Sequence, residues 1–112
     1  MAKVQMMVLT CATGDEVAEL ARWYDEQHIP DLLRVPGIVA ARRGSVKRLG
    51  GPAGMPDWNY LACYEIEADD VAAVLAEAGR RMGTDEMPRS PALDSSRTLS
   101  LIITPEFEAA EG

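Results

Sequence analysis

Six short segments of differing hydrophobic periodicity follow one another along this chain, and their order constrains the fold more than any single residue does. Residues 3–11, 38–49, 59–66 and 98–104 form short apolar or alternating runs that are typical of strands. Helical spacing occurs instead from Gly14 to about Pro30 and again from Val71 to Met82. The segments therefore follow the order β-α-β-β-α-β.

This order is that of the ferredoxin-like arrangement, in which two helices cover one face of a four-stranded antiparallel sheet. The 112-residue chain is long enough for one domain of this kind and too short for two. We therefore expect a single α+β domain over residues 1–112. The stretch from Gly83 to Ser96, with Pro88 and Pro91, is expected to be irregular.

The first and last predicted strands carry apolar side chains on both faces. Met6 and Val8 alternate with Met7 in the first strand, and Leu101 opposes Ile102 in the last. A monomer with helices on one face would keep the other face polar. We therefore expect a homodimer in which two sheets pack face to face. The alternative is that the strands are short and their register is misassigned.

Charge and segment composition restrict the partners of the chain. The formal net charge of −7 disfavours nucleic acid and anionic membranes, because both attract basic surfaces. The sequence contains neither an apolar stretch of membrane-spanning length nor a signal-peptide pattern, so we expect a cytoplasmic protein. Cys11 and Cys63 lie in strand-like runs without metal-ligand spacing, which favours free, partly buried thiols over a disulfide or a zinc site.

The only histidine of the chain is predicted to lie on an apolar helix face. The side chains at spacings of three and four that form this face are Val17, Leu20, Ala21, Tyr24 and His28. Tyr24 and His28 are one turn apart and can meet. Pro30 lacks an N–H and disfavours the α conformation at Ile29, so we expect the helix to break or kink near His28, with a last turn through Leu33.

His28 is the strongest candidate for a catalytic base. An imidazole titrates near neutral pH, and Asp25, three residues earlier, could hold one ring nitrogen and leave the other free. Tyr24 is a candidate hydrogen-bond donor beside it. The alternative is structural, because a cation at the end of a helix offsets the helix dipole.

Aromatic residues provide further candidates. Tyr60 and Tyr64 share one face of the third strand, and Tyr64 could donate to a carbonyl or phenolate oxygen near His28. Their alternative role is packing. Trp23 is expected to be half-exposed or at a subunit contact, since it lies about 120 degrees from the centre of the helix face. Trp58 and Asn59 follow the Gly/Pro-rich loop 50–56, at a possible pocket mouth.

One basic patch stands out in this acidic chain, formed by Arg42, Arg43, Lys47 and Arg48. Arg42 could bind an anionic substrate group such as a carboxylate. The alternative is that these charges protect an edge strand from aggregation.

Because the chain has one histidine and no clustered ligands, we expect no metal site. It also lacks a phosphate-binding glycine loop and a nucleophile motif, and we expect no bound cofactor.

The run WYDEQHIPDLLRVPGIVAARR, from Trp23 onwards, resembles the first helix and second strand of small dimeric α+β barrel proteins of the EthD-like branch. The later run YLACYEIE is similar to their third strand. The resemblance covers about a third of the chain. It implies a ferredoxin-like fold, a homodimer formed by packed sheets, and a pocket between sheet and helices in each subunit. The family's motif histidine maps onto His28, with Trp23, Tyr24 and Asp25 beside it.

Proteins of this wider superfamily include cofactor-free monooxygenases, cyclases, isomerases, dehydratases and haem-degrading enzymes, so the resemblance implies no single reaction. Our leading hypothesis is a cofactor-independent enzyme that transfers a proton at carbon on a small carbonyl or phenolic substrate. His28 is its base, Asp25 orients His28, and Tyr24 or Tyr64 stabilises the oxyanion. Two alternatives remain open: a cofactor-free monooxygenase of an activated phenol, and a dimeric module that binds a small molecule without turning it over.

Overall fold

The computed structural model describes all 112 residues and has the expected β-α-β-β-α-β order. A π-helical turn, Tyr24–His28, joins two of its short α-helices into one continuous helical segment. The remaining elements are β1 (Ala2–Ala12), α1 (Val17–Trp23), α2 (Ile29–Leu33), β2 (Ile38–Ser45), β3 (Tyr60–Ala68), α3 (Val71–Arg81) and β4 (Leu93–Ile103). No helix is both long and apolar enough to cross a membrane.

The four strands form one antiparallel sheet in the order β2-β3-β1-β4. In the centre of this sheet, Met6 of β1 lies opposite Tyr64 of β3 and Ile102 of β4. Two residues on, Val8 lies opposite Ala62 and Ser100. Because side chains alternate along a strand, these residues all point to the same face of the sheet.

The helices cover this face and bury the core against it. Leu20 of α1, Leu32 of α2 and Val74 of α3 are buried in one core cluster with the sheet residues Ala62 and Ile66. The loop before β2 passes close to α3 at Gly37, where a Cβ would lie only 2.6 Å from Cγ2 of Val74. Gly37 also has a φ of +99°, so both space and backbone conformation require glycine there.

The opposite face of the sheet exposes apolar side chains along β4. Leu99, Leu101 and Ile103 of β4 pair with Leu9, Met7 and Gln5 of β1 and alternate with the helix-facing residues, as the strand pattern predicts. Their exposed fractions are 36%, 51% and 40%. The prediction of apolar side chains on both faces is therefore confirmed.

The predicted irregularity near His28 is present as a π turn, and the last helical turn ends at Leu33 as expected. Regular α geometry ends at Trp23, well before the proline, but the chain stays helical through the π turn and α2. The N–H of Ile29 donates to the carbonyl of Tyr24, five residues earlier, which is the π pattern. Pro30 then occupies the first turn of α2, where its missing N–H costs little.

Two strand boundaries also differ from expectation. β2 ends at Ser45 rather than at residue 49, because its partner β3 begins at Tyr60, directly opposite Ser45. β4 begins at Leu93, five residues before the predicted start, because the end of β1 pairs with it beyond a bulge. The region from Gly83 to Ser96 is thus only partly irregular. Both cysteines are free and buried.

Candidate functional site

The π turn brings the rings of Trp23 and Tyr24 against His28. The ring of Trp23 stacks on the imidazole, with centroids 4.3 Å apart and planes 14° from parallel. The edge of the Tyr24 ring meets His28 at a centroid distance of 5.7 Å. In a regular α-helix, residues five apart do not face each other, but the wider π turn aligns Trp23 with His28. Trp23 is consequently buried, and the expectation that it is half-exposed was wrong.

His28 is buried and neutral at pH 7. Only 7% of the residue is exposed, and its Nδ1 atom has no hydrogen-bond partner. Burial lowers the pKa of His28 to about 4, and the nearby Asp31 charge opposes this shift only in part. A histidine that offsets a helix dipole would be charged and solvated, so the structural alternative for His28 does not describe this environment.

Asp31 is the buried charge nearest in sequence to His28, and its own partners satisfy it. Its carboxylate accepts hydrogen bonds from Nε2 of Gln27 and Nη1 of Arg34, both at 2.6 Å. The residue is 3% exposed, whereas the Arg34 side chain is largely solvated. Asp31 therefore anchors the end of the helical segment and makes no hydrogen bond to the His28 ring.

The two tyrosines near His28 differ in their hydrogen bonding. The Tyr24 hydroxyl shares a buried hydrogen bond of 3.0 Å with Oγ1 of Thr10 on β1. The Tyr64 hydroxyl, on β3, is buried and has no partner. Burial raises the pKa of both phenols, so each stays protonated and able to donate at neutral pH.

A cavity of about 270 Å³ lies between the helices and the sheet. It is lined by 16 residues, of which 11 are hydrophobic. The lining residues are Met6, Val8, Thr10, Trp23, Tyr24, His28, Leu32, Tyr64, Leu75, Ala78, Gly79, Met82, Met87, Leu93, Thr98 and Ser100. The structure thus brings together four of the residues singled out from sequence: Trp23, Tyr24, His28 and Tyr64.

Asp25 lies outside this cavity and does not orient His28. Its carboxylate accepts two hydrogen bonds from the Arg43 guanidinium, at 2.8 and 2.9 Å, on the protein surface. This ion pair lowers the pKa of Asp25. The predicted contact fails because the π turn changes the angular offset between the two residues from that of an α-helix. The group that packs on the imidazole is instead Trp23.

Tyr60 and Arg42 also lie outside the cavity. The Tyr60 hydroxyl donates to the carbonyl of Val17 at 3.3 Å, and the Arg43 guanidinium lies over the Tyr60 ring at 4.7 Å. Arg42 is exposed at the sheet edge, 4.0 Å from Glu65. Tyr60 therefore joins β3 to α1, and Arg42 carries no charge into the cavity.

Trp58 and Asn59 fasten the loop before β3 to the sheet rather than forming a pocket mouth. The indole N–H of Trp58 donates to the carbonyl of Arg97 at 3.0 Å. The amide oxygen of Asn59 accepts from the backbone N–H of Ala12 at 2.8 Å. Neither side chain lines the cavity around His28.

Several lining residues were not identified from the sequence. Thr10 continues the alternation of Met6 and Val8 along β1, so strand periodicity could have located it. Met82 directly follows α3, and the helical spacing of residues 71–82 could likewise have located it. Met87 lies between helix and strand in a stretch without periodicity, and no sequence signal marked it.

No protein-family model matches the sequence, and no curated protein matches it. Solved structures do match. An EthD family protein from Bacillus halodurans C-125 aligns over 93% of this chain and 99% of its own, with a TM-score of 0.60 and 11% identity. The chain has the ferredoxin-like fold of these proteins.

Two other structures have the same fold. A putative monooxygenase from Shewanella loihica PV-4 aligns over 96% of this chain and 97% of its own, with a TM-score of 0.62 and 9% identity. A dimeric ferredoxin-like protein of unknown function from Jannaschia sp. CCS1 aligns over 92% and 99%, with a TM-score of 0.60 and 13% identity. At these identities the likeness establishes the fold, and function has to be argued from the cavity.

Proposed function

We propose that this protein is a small cofactor-independent enzyme that transfers a proton at a carbon next to a carbonyl or phenol. The reaction types that fit are isomerisation, cyclisation, dehydration and retro-aldol cleavage. One observation carries the proposal: His28 and Tyr64 line the same apolar cavity, and each has a buried polar atom without a partner, Nδ1 of His28 and the hydroxyl of Tyr64. Buried polar atoms almost always have partners, and a bound substrate would supply them here.

Each of the two residues suits a distinct role. The imidazole of His28 is neutral at pH 7, so one ring nitrogen can accept a proton from the substrate carbon. The Tyr64 phenol stays protonated and can donate a hydrogen bond to the oxygen on which negative charge develops. Stacking on Trp23 would hold the imidazole in place, the role that the sequence had suggested for Asp25.

Replacement of His28 tests this proposal directly. With a substrate found by screening small carbonyl and phenolic compounds, His28→Asn should lower kcat/KM roughly 10²- to 10⁴-fold, as expected for loss of a general base. Tyr64→Phe should lower kcat more than it changes KM. Arg42→Gln, outside the cavity, is the control and should leave turnover unchanged. A loss below tenfold in a folded His28→Asn protein would contradict the role of His28.

A second candidate is a cofactor-free monooxygenase that acts on an activated phenol in the same cavity. The putative monooxygenase from Shewanella loihica that shares the fold favours it. Oxygen consumption with quinol-type substrates separates this activity from proton transfer, which consumes none. Binding without turnover of any compound would instead favour the non-catalytic alternative.

We also propose that the protein forms a homodimer through the open sheet face. Leu99, Leu101 and Ile103 are exposed there, and the similar protein from Jannaschia is described as dimeric. Sedimentation should show a dimer that Leu101→Glu converts to monomer, because a carboxylate would be buried without a partner. Leu49→Glu places the same charge at a 96%-exposed loop residue and should stay dimeric. A monomeric wild-type protein would refute this assembly.

A further inference from the structure

The cavity around His28 is free of charge, although the chain is not. Asp, Glu, Lys and Arg make up 26% of the residues, yet none of them lines the cavity. The nearby Asp31 carboxylate already accepts hydrogen bonds from Gln27 and Arg34. Arg42 and Arg43 of the basic patch contact Glu65 and Asp25 on the surface.

We infer that the ligand of this cavity is an uncharged compound with an apolar ring body and one oxygen function at its buried end. A carboxylate, phosphate or ammonium group would lose its hydration in the cavity without finding a counter-ion. This loss costs far more free energy than burying a neutral oxygen that gains hydrogen bonds. This inference rests on the proposed function only for the location of the site.

The polar groups of the cavity orient such a ligand. His28 and Tyr64 are 7% and 1% exposed, so they form the buried end. Thr98, Ser100 and Gly79 line the cavity and are solvent-exposed, so they form its mouth. The carbonyl or phenol oxygen therefore faces His28 and Tyr64. The apolar body contacts Met6, Val8 and Leu75, and a second hydroxyl can be accommodated near Ser100.

The volume restricts the size of the ligand. The cavity volume of about 270 Å³ is just below the range of roughly 300–1,000 Å³ that is typical of pockets for drug-sized ligands. This favours one ring or two fused rings over larger polycyclic compounds. Met6, Met82 and Met87 line the space, and their flexible thioether side chains can adapt to ring shapes.

A matched pair of two-ring compounds tests the inference. We would measure binding of 2-naphthol and of 2-naphthoate at pH 7.5, following the ring resonances of His28, the only histidine, by NMR. 2-Naphthol should shift these resonances saturably, and 2-naphthoate should bind at least about 100-fold more weakly. As the pH is lowered towards 5, the affinity for the naphthoic acid should rise as its neutral form appears, and that for 2-naphthol should not.

A substitution at the mouth confirms where the ligand binds. A Cβ at Gly79 meets nothing within 4 Å, and Gly79 lies in α3, where a larger residue also favours the helix. Gly79→Leu should therefore obstruct the mouth and weaken 2-naphthol binding at least tenfold without unfolding the protein. Gly79→Ala is the matched control and should bind almost as the wild type does.

The outcomes separate this inference from the proposed enzyme activity. Selective binding of 2-naphthol without turnover of any compound supports the inference and contradicts the proposed function. Turnover of an anionic substrate in the cavity supports an enzyme and overturns the inference. Equal affinity for the two compounds, or binding of neither, also overturns it.

Discussion

The two halves of the fold share the same strand–helix–strand order but differ in the geometry of their helices. In the second half, α3 is a regular helix whose N-terminus is capped by Asp70 and whose side chains give the cavity an apolar wall. In the first half, the helix is interrupted by the π turn Tyr24–His28, and this half supplies the rings of Trp23, Tyr24 and His28. The irregular helix therefore supplies His28, the base of the proposed reaction, and the regular helix contributes apolar lining.

The difference shows why an irregular turn suits a candidate catalytic residue. Two residues five apart cannot stack in a regular α-helix, so the Trp23–His28 pair depends on the π geometry. The same turn directs the imidazole into an apolar cavity, where its charged form is disfavoured. Because the two halves share one sheet and one core, protonation of this imidazole should destabilise the whole domain in acid.

The largest stability effect is expected from lowering the pH. The pKa of His28 is about 4 in the folded protein and near 6.5 when unfolded, so the unfolded chain binds more protons between these values. The contribution of the neutral His28 imidazole to stability is therefore fully present above pH 6.5, and it is lost progressively as the pH falls towards 4. The free energy of unfolding should drop by about 2 kcal/mol between pH 7 and pH 5, and by about 3 kcal/mol by pH 4.

His28→Gln isolates this effect. In this variant, the free energy of unfolding, measured with denaturant at a fixed protein concentration, should depend much less on pH between 7 and 5. The arginine-paired carboxylates of Asp25, Glu77 and Asp94 have lowered pKa values and titrate below this window. Parallel curves for the wild type and His28→Gln would show that His28 is not buried in its neutral form.

A smaller effect is expected where the two halves touch, at Gly37. Gly37→Ala puts a Cβ 2.6 Å from Val74 of α3 and forces alanine to a φ of +99°. We expect a loss of about 2 kcal/mol in the free energy of unfolding. Gly54→Ala is the matched control, because it has a φ of +86° but meets nothing within 4 Å. If both variants lose the same stability, the close approach to Val74 contributes nothing.

Much of the fold could be predicted from periodicity. The alternation of Met6, Met7 and Val8 located β1 and indicated that both sheet faces are apolar, because strand side chains alternate regardless of their neighbours. The end of β2 at Ser45 could not be predicted, since it depends on where its partner begins. Non-local pairing, rather than local preference, sets such boundaries.

Only part of the candidate site could be predicted. The predicted approach of Tyr24 to His28 agrees with the structure, because a spacing of four brings side chains together in both α and π geometry closely enough for contact. Trp23 lines the cavity as predicted, but its burial and the surface position of Asp25 differ from expectation for one shared reason, which is that the π turn changes the angular positions around His28. Pro30 indicates a break or kink near His28, and the sequence does not distinguish these from a π turn.

The smallest expected effect concerns the regular helix and tests whether the two halves are functionally separable. The Asp70 side chain accepts a hydrogen bond of 3.1 Å from the N–H of Ala73 at the start of α3. Asp70→Ala should therefore cost about 1 kcal/mol of unfolding free energy. Asp69→Ala, which removes only an exposed contact with the amino terminus, should cost almost nothing. Because this cap does not line the cavity, neither variant should alter the His28 NMR titration; a shifted titration in Asp70→Ala would mean that α3 also controls the environment of the imidazole.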